Sequence, residues 1–340
     1  MGGMLERPST KRPRLGFLGL GWIGRSRMQS LAETGLVDIA ALADPSGDCL
    51  AEAAALAPAA AQGRDLDDLL AAGCDGIVIA TPSALHAQQT IAALDRGVAV
   101  FCQKPLGRDA DEAARAVAAA RQADRLLGLD LCYRHTAAMQ ALRDTVRSGA
   151  VGEIFAADLV FHNAYGPDKP WFYDAALSGG GCVMDLGVHL VDLALWVLDF
   201  PPVTKVSAQL FAGGQPLTSR AQTEDYGIAT LQLASGAAVR IACSWNLSAG
   251  QDAVIGADFH GTQGGVSMRN RNGSFFDFDA HHHSGTSSRP LAEPPDDWGG
   301  RALADWARRL AQSPGFDPAA EEFVQLSRII DRVYAAGLAE

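Results

Sequence analysis

Short apolar runs alternate with helix-period segments along the first part of the chain. RLGFLGL (14–20) reads as a strand, and Trp22–Glu33 as a helix. LVDIAALAD (36–44) is strand-like, and CLAEAAALA (49–57) and DLDDLLAA (65–72) are helical. GIVIA (76–80), VAVFC (98–102) and LLGLDLC (126–132) read as further strands, separated by helices over 84–97 and 109–124. The strands are apolar throughout rather than alternating, so both faces of their sheet should be covered. Strands that alternate with helices in this way predict an N-terminal, Rossmann-like, doubly wound parallel sheet.

Beyond Tyr133 the rhythm changes. A helix over 136–148 leads to a long strand, EIFAADLVFHN (153–163), then a loop rich in glycine and aromatics and a helix over 186–198. Strands follow at 203–212, 225–234 and 237–246, the last two joined by Ser235-Gly236. Val239, Ile241, Cys243 and Trp245 share one face at period two. AVIGADFHG (253–261) and GGVSM (264–268) add more strand, residues 270–299 read as loop, and helices over 301–312 and 318–337 close the chain. The fold class expected is α/β. It combines the Rossmann sheet with a C-terminal α+β domain built on a large, mostly antiparallel open sheet. The expected bounds are a disordered tail at 1–13, a first domain at 14–133 and a second at 134–340, with no Pro/Ser linker between the domains.

Composition narrows the function. The 340 residues are 48% hydrophobic and 20% charged, which suits two packed domains. The net charge of −11 argues against a nucleic-acid partner or an anionic membrane surface. No apolar stretch reads as long enough for a membrane helix. The six cysteines (49, 74, 102, 132, 182, 243) are scattered with no C-x-x-C, as buried small hydrophobes in a reducing compartment would be. KRPRLGFLGLGWIG lacks an Arg-Arg pair and a small-residue cleavage site, so a cytoplasmic location is expected. His281, His282 and His283 lack a spaced fourth ligand, and no metal is expected.

GLGWIG places Gly19, Gly21 and Gly24 directly after a strand, opening a helix, with Asp44 at the end of the second strand. Gly19 permits a tight turn, Gly21 lets backbone N–H groups approach a pyrophosphate, and Gly24 packs helix on sheet. Asp44 would accept from ribose hydroxyls and repel a 2′-phosphate. Positions 45–48 offer no arginine to relieve that repulsion, so NAD is favoured over NADP. ATPSALH (80–86) ends the fourth strand and puts His86 in a helix's first turn, near the presumed nicotinamide or in a structural role. Candidate cofactor contacts are Gly19, Gly21, Trp22, Ile23, Gly24, Asp44, Thr81, Pro82, His86 and Gln103.

VFCQKPLGRD (100–109) delivers Lys104 to the same carboxyl edge of the sheet. Pro105 bars Lys104 from helical geometry and removes a donor, so the ammonium is aimed. A lysine there could bond a substrate oxygen and stabilise alkoxide character.

Taken with ATPSALH and the glycine loop, this stretch resembles the Gfo/Idh/MocA oxidoreductases. Their usual triplet is Glu-Lys-Pro, whereas this chain carries Gln103-Lys104-Pro105. GGGCVMDLGVHLVDLALW (179–196) is similar to the family's D-x-G-x-H, with Asp185 and His189 four apart. EDYGIATLQLASGAAVRIACSW (224–245) is similar to its sheet hairpin.

The resemblance implies that Lys104, Asp185 and His189 form the catalytic group of an enzyme. His189 would be the acid/base on a ring hydroxyl, Asp185 would hold its tautomer, and Lys104 would polarise the same oxygen. Which of Lys104 and His189 takes the proton stays open. The substrate implied is a sugar, inositol or sugar derivative, and hydride passes between its secondary hydroxyl and nicotinamide. A homodimer or homotetramer through the C-terminal sheet is also implied.

Two rival readings are transient use of bound NAD for net elimination or glycoside cleavage, and a non-catalytic NAD-binding regulator. Glycines 179–181 are expected to let the chain approach a ligand. Tyr133 and Arg134, where the domains meet, and Tyr165, Trp171 and Tyr173, in HNAYGPDKPWFYD (162–174), are candidate substrate contacts.

Overall fold

Six strands build the first sheet: β1 (Arg14–Leu18), β2 (Asp38–Ala43), β3 (Ala61–Gly63), β4 (Gly76–Ile79), β5 (Ala99–Cys102) and β6 (Leu127–Leu129). All pair in parallel, in the order β3-β2-β1-β4-β5-β6. β4 and β5 are buried along their whole length, as their unbroken apolar runs require. Strand order reverses between β1 and β4, so their carboxyl ends flank the crevice where such sheets bind ligands.

Nine strands build the second sheet: β7 (Ile154–Asn163), β8 (Val203–Ala212), β9 (Gln215–Pro216), β10 (Tyr226–Leu233), β11 (Ala238–Ser244), β12 (Ala253–Gly261), β13 (Gly264–Asn270), β14 (Phe278–Ser284) and β15 (Ser287–Ala292). Their order is β15-β14-β13-β12-β7-β11-β10-β8-β9, antiparallel except between β7 and β11. Val239, Ile241, Cys243 and Trp245 are buried on one face, as the period-two pattern predicts.

These elements belong to a computed structural model that describes residues 12–338 as two compact units. The first holds 12–106, Glu112–Asp130 and Gly299–Glu321; the second holds Gly107–Asp111, Leu131–Trp298 and 322–338. Residues 1–11 of the expected tail lie outside the described residues.

Three expectations need correction. Residues 299–321, placed by sequence in the second domain, pack in the first unit. There Trp306 of helix Arg301–Gln312 lies 5.7 Å from Phe101, ring centroid to centroid. Gly76 and Gly128 make its seat: a Cβ on either would approach the Trp306 ring to 2.6 Å.

Residues 278–292 form a hairpin rather than a loop, so His281–His283 lie in β14 between β13 and β15. Only Phe278 and Ala280 of β14 are buried, too few apolar positions to mark a strand. Among the described residues no group of three His, Cys, Asp or Glu side chains could hold a metal ion.

The helical stretch Ala175–Val197 is long and apolar enough to cross a membrane, with mean hydropathy 1.4. Of its most apolar stretch, 94% is buried within the fold, which makes it a core helix.

All six cysteines are free thiols, and all but Cys49 are buried. Burial pushes Cys74 up to about 11 and Cys102 up to about 12, from an ordinary 9.0. Above pH 9 the unfolded chain therefore loses protons that the folded chain keeps, so stability falls as pH rises through this window. We expect a cost of about 1.4 kcal/mol per thiol at pH 10. Urea unfolding of the parent at pH 7 and 10, compared with Cys74→Ala and Cys102→Ala, measures it; each substitution should shallow the decline.

Candidate active site

The turn after β1 carries the glycine motif. Gly19 has φ +86°, and a Cβ there would lie 2.6 Å from the Ala80 backbone. A Cβ on Gly24 would lie 2.0 Å from the Gly19 carbonyl oxygen. Protein packing therefore demands both glycines. Gly21 differs, because a Cβ there would meet nothing within 4 Å. It precedes helix Trp22–Thr34, which has no side-chain cap and no acid in its first turn. Open space before bare helix N–H groups suits a phosphate. Trp22 stands 68% exposed beside it, and Ile23 follows on the same turn.

Asp44, just past β2, closes this turn. Its carboxylate accepts from Leu20 N at 2.6 Å and Ser46 N at 2.8 Å. Arg25, on the turn's helix, is paired with Glu52. The fit to a dinucleotide is thus a glycine loop with room at Gly21 and a fixed carboxylate at the end of β2.

The ends of β4 and β5 are tied by His86, which is 2% exposed. Its Nδ1 lies 2.6 Å from Pro105 O and its Nε2 lies 2.7 Å from Thr81 O. Burial pushes His86 below its ordinary value, while the two carbonyls favour the protonated ring. Both ring nitrogens serve the backbone, which gives His86 the structural role among its two expected ones. Thr81 Oγ1 donates to Gln89 at 2.6 Å, and Pro82 precedes helix Ser83–Asp95. Lys104, partly exposed, follows β5 on the otherwise buried turn that His86 secures. Gln103 turns inward, 7% exposed, and its amide donates to Asp130. Its amide nitrogen is thus engaged within the protein.

In the second unit, Asp185 sits in a wide π-helical turn, Val183–Gly187, that feeds helix Val188–Val197 with His189. The sequence suggested an ordinary helix start; such wide turns are frequent at functional sites. Trp245 Nε1 donates to Asp185 Oδ2 at 3.1 Å. His189 is 5% exposed, and the Tyr133 ring meets it edge-on at 4.9 Å. Tyr133 in turn packs on Phe161, Phe278 and Trp298.

Glycines 179–181 approach protein, contrary to the expectation of a ligand. A Cβ on Gly180 would lie 1.9 Å from the Tyr334 hydroxyl, and one on Gly181 1.9 Å from Glu224 O. Glu224, fully buried, accepts from Val183 N at 2.8 Å, from Gly181 N at 3.0 Å and from Tyr334 OH at 2.8 Å. It anchors the helix start that bears Asp185. Burial pushes the Glu224 carboxyl above its ordinary range, against these bonds.

Arg134 is taken up by Asp192 and Glu322, with Nε 2.9 Å from Asp192 and Nη1 3.0 Å from Glu322. The ion-pair geometry gives it a packing role. Tyr165 and Tyr173 are half-exposed, at 52% and 49%. Tyr173 lies 5.6 Å from Trp245, next to Asp185's donor, and Trp171 stacks on Phe172 at 3.8 Å. The second unit therefore gathers Asp185, Trp245 and Tyr173 in one contact chain, and His189 with Tyr133 in another.

One family model, described as "Oxidoreductase family, NAD-binding Rossmann fold", matches residues 13–131; another, "GFO/IDH/MocA C-terminal domain", matches 139–267. An inositol 2-dehydrogenase of Acidiphilium cryptum (strain JF-5) is 30% identical over 244 residues, covering 70% of this chain and 69% of that protein. The chain belongs to the GFO/IDH/MocA oxidoreductase family.

Another GFO/IDH/MocA relative, a 1,5-anhydro-D-fructose reductase of Ensifer adhaerens, is 33% identical over 198 residues. That match spans 58% of this chain and only 57% of the relative. Two solved structures share the fold. Levoglucosan dehydrogenase in complex with NADH and L-sorbose has a TM-score of 0.81 at 20% identity, covering 96% of each chain. A 3-ketoreductase from Actinomadura kijaniata with NADP and TDP-benzene has a TM-score of 0.82 at 20% identity, covering 96% of this chain and 98% of that one.

Against the GFO/IDH/MocA frame, sequence reasoning missed Glu224, Asp130 and Arg27. Asp130 is 1% exposed and accepts from Arg27 Nε at 2.7 Å. Lone charged residues inside apolar runs carry no periodic signal. Only the cost of burying a charge in LLGLDLC hints at Asp130.

Proposed function

We propose that the protein is an NAD-dependent oxidoreductase that moves hydride between a secondary hydroxyl of a sugar, inositol or sugar derivative and nicotinamide. The observation that carries this reading is the open glycine at 21 before an uncapped helix, with the Asp44 carboxylate fixed at the turn's edge. Gly19, Gly21 and Gly24 would hold the pyrophosphate on backbone N–H groups, with Trp22 and Ile23 on the same turn. Asp44 would accept from the adenosine ribose hydroxyls. Its charge opposes a 2′-phosphate, and Arg25 is already engaged by Glu52, so NAD is preferred over NADP.

Bound NAD supplies the hydride acceptor at nicotinamide C4. Lys104, on the turn locked by Pro105 and His86, would donate a hydrogen bond to the reacting oxygen and stabilise its developing negative charge. His189 would accept the hydroxyl proton as hydride leaves. Asp185, held by Trp245, would orient the imidazole and favour its charged form. Tyr165, Trp171 and Tyr173 would offer aromatic faces to the apolar faces of a sugar ring. The names of two relatives, an inositol 2-dehydrogenase and a 1,5-anhydro-D-fructose reductase, support a cyclic polyol or anhydrosugar as substrate.

The test is a panel of inositols, hexoses, glycosides and anhydrosugars incubated with NAD or NADP, read by nicotinamide absorbance. At least one cyclic polyol should reduce NAD, with kcat/KM at least tenfold above that with NADP. Inertness across the panel overturns the reading. Release of an aglycone without net reduced nicotinamide would mean that NAD is recycled. Preference for NADP would overturn the role given to Asp44.

A further inference from the structure

The residue before Lys104 is the entry to a buried charged network that the proposed chemistry does not use. Gln103 Nε2 donates to Asp130 Oδ2, and the same oxygen accepts from Arg27 Nε at 2.7 Å. Gln103 and Arg27 are each 7% exposed and Asp130 is 1% exposed. The three residues come from three places. Arg27 lies on the helix of the glycine turn, Gln103 at the exit of β5 and Asp130 at the exit of β6. Backbone bonds fasten the same spot: Gln103 N donates to Ile79 O at 2.8 Å, and Asp130 N to Cys102 O at 2.9 Å.

A buried carboxylate needs donors, and an amide at 103 supplies one. A glutamate at 103, as in the family's usual triplet, would set two buried carboxylates against each other, and one would have to take a proton. The chain instead carries the acid one strand away and an amide beside the lysine.

We propose that Asp130, bridged by Gln103 and charge-balanced by Arg27, is the anionic anchor of the Lys104 turn, and that Asp130 and Gln103 are positioning residues for the Lys104 ammonium. The part concerning turnover rests on the hydride-transfer reading above.

Exchanging the two groups tests it. Gln103→Glu, Asp130→Asn and the double variant keep nearly identical shapes, and the double variant keeps the parent's net charge. The chain has only four lysines, at 11, 104, 169 and 205, so ¹³C-dimethylation gives few resonances, and Lys104→Arg assigns the one needed. Thermal midpoints at pH 8 and the position and line width of the Lys104 resonance are measured for all four proteins.

Each single variant should lower the thermal midpoint. Gln103→Glu should do so far less at pH 5, where its new acid can hold a proton and donate it. Asp130→Asn should move and broaden the Lys104 resonance, because the turn that carries the lysine loses its anchor. The double variant should recover most of both losses, and kcat should fall in each single variant and return in the double one. A double variant no better than the worse single one, or a Lys104 resonance unmoved by Asp130→Asn, overturns the proposal. Should the parent oxidise no polyol, the hydride-transfer reading fails by itself; the midpoint and resonance data still decide on the anchor.

Discussion

Lys104→Met is expected to lower kcat for polyol oxidation by about 10²–10⁴-fold, the range for losing one positioned proton-handling or oxyanion-stabilising group. His189→Ala should cost a similar factor. NAD affinity should stay within about threefold of the parent in both, because the cofactor contacts proposed lie on the glycine turn and Asp44. Lys104 is itself partly exposed but its turn is buried, so a thermal melt of the variant must accompany the kinetics. His189 is 5% exposed and packs on Tyr133, so its replacement should also destabilise the fold. Kinetics at saturating NAD, with cofactor titration and thermal melts, separate these effects. Turnover within a factor of ten of the parent in Lys104→Met would remove that lysine from the reaction.

Gly21→Val should do the reverse. Its side chain would point where no protein atom lies within 4 Å, so folding should be unaffected. A phosphate held on the turn's N–H groups would be pushed away. Losing one or two charge-assisted hydrogen bonds, worth about 1.5–3 kcal/mol each, weakens NAD binding by about 10²-fold or more. Gly24→Ala makes the contrast. Its methyl would sit 2.0 Å from the Gly19 carbonyl oxygen, and the backbone clash should cost stability first, about 1–3 kcal/mol or more. Calorimetric titration with NAD and thermal melts of the two variants check the pair. If Gly21→Val binds NAD like the parent, the anion does not sit on this turn.

The parallel sheet was legible because its strands are continuous apolar runs cut by turn residues, and because Gly19, Gly21, Gly24 and Asp44 stand at spacings that only one local geometry explains. The antiparallel strands 203–261 were legible through alternation, which places Val239, Ile241 and Cys243 inward. The β14–β15 hairpin was hidden because a strand rich in polar residues has no such alternation to show. For residues 299–321 the pattern disclosed the helix but not its partner. An amphipathic face says that something apolar covers it, and the Gly76–Gly128 seat exists only in three dimensions.

Among the residues named from sequence, Gly19, Gly21 and Gly24 lie where β1 turns into the next helix. Arg134, Gln103, Gly180 and Gly181 turn toward the protein because each meets a buried acid or a packed ring that lies far off in the chain. Residue type alone does not reveal such long-range partners.

The seat of Trp306 sets the order of manufacture. Everything from β6 to residue 306 must leave the ribosome before the indole that covers Gly76 and Gly128 can arrive. Until then the nascent nucleotide-binding sheet presents a bare apolar patch to the cell. Its first fully protected state therefore waits for residue 306, and a chain cut short before residue 299 would keep that adhesive patch bare.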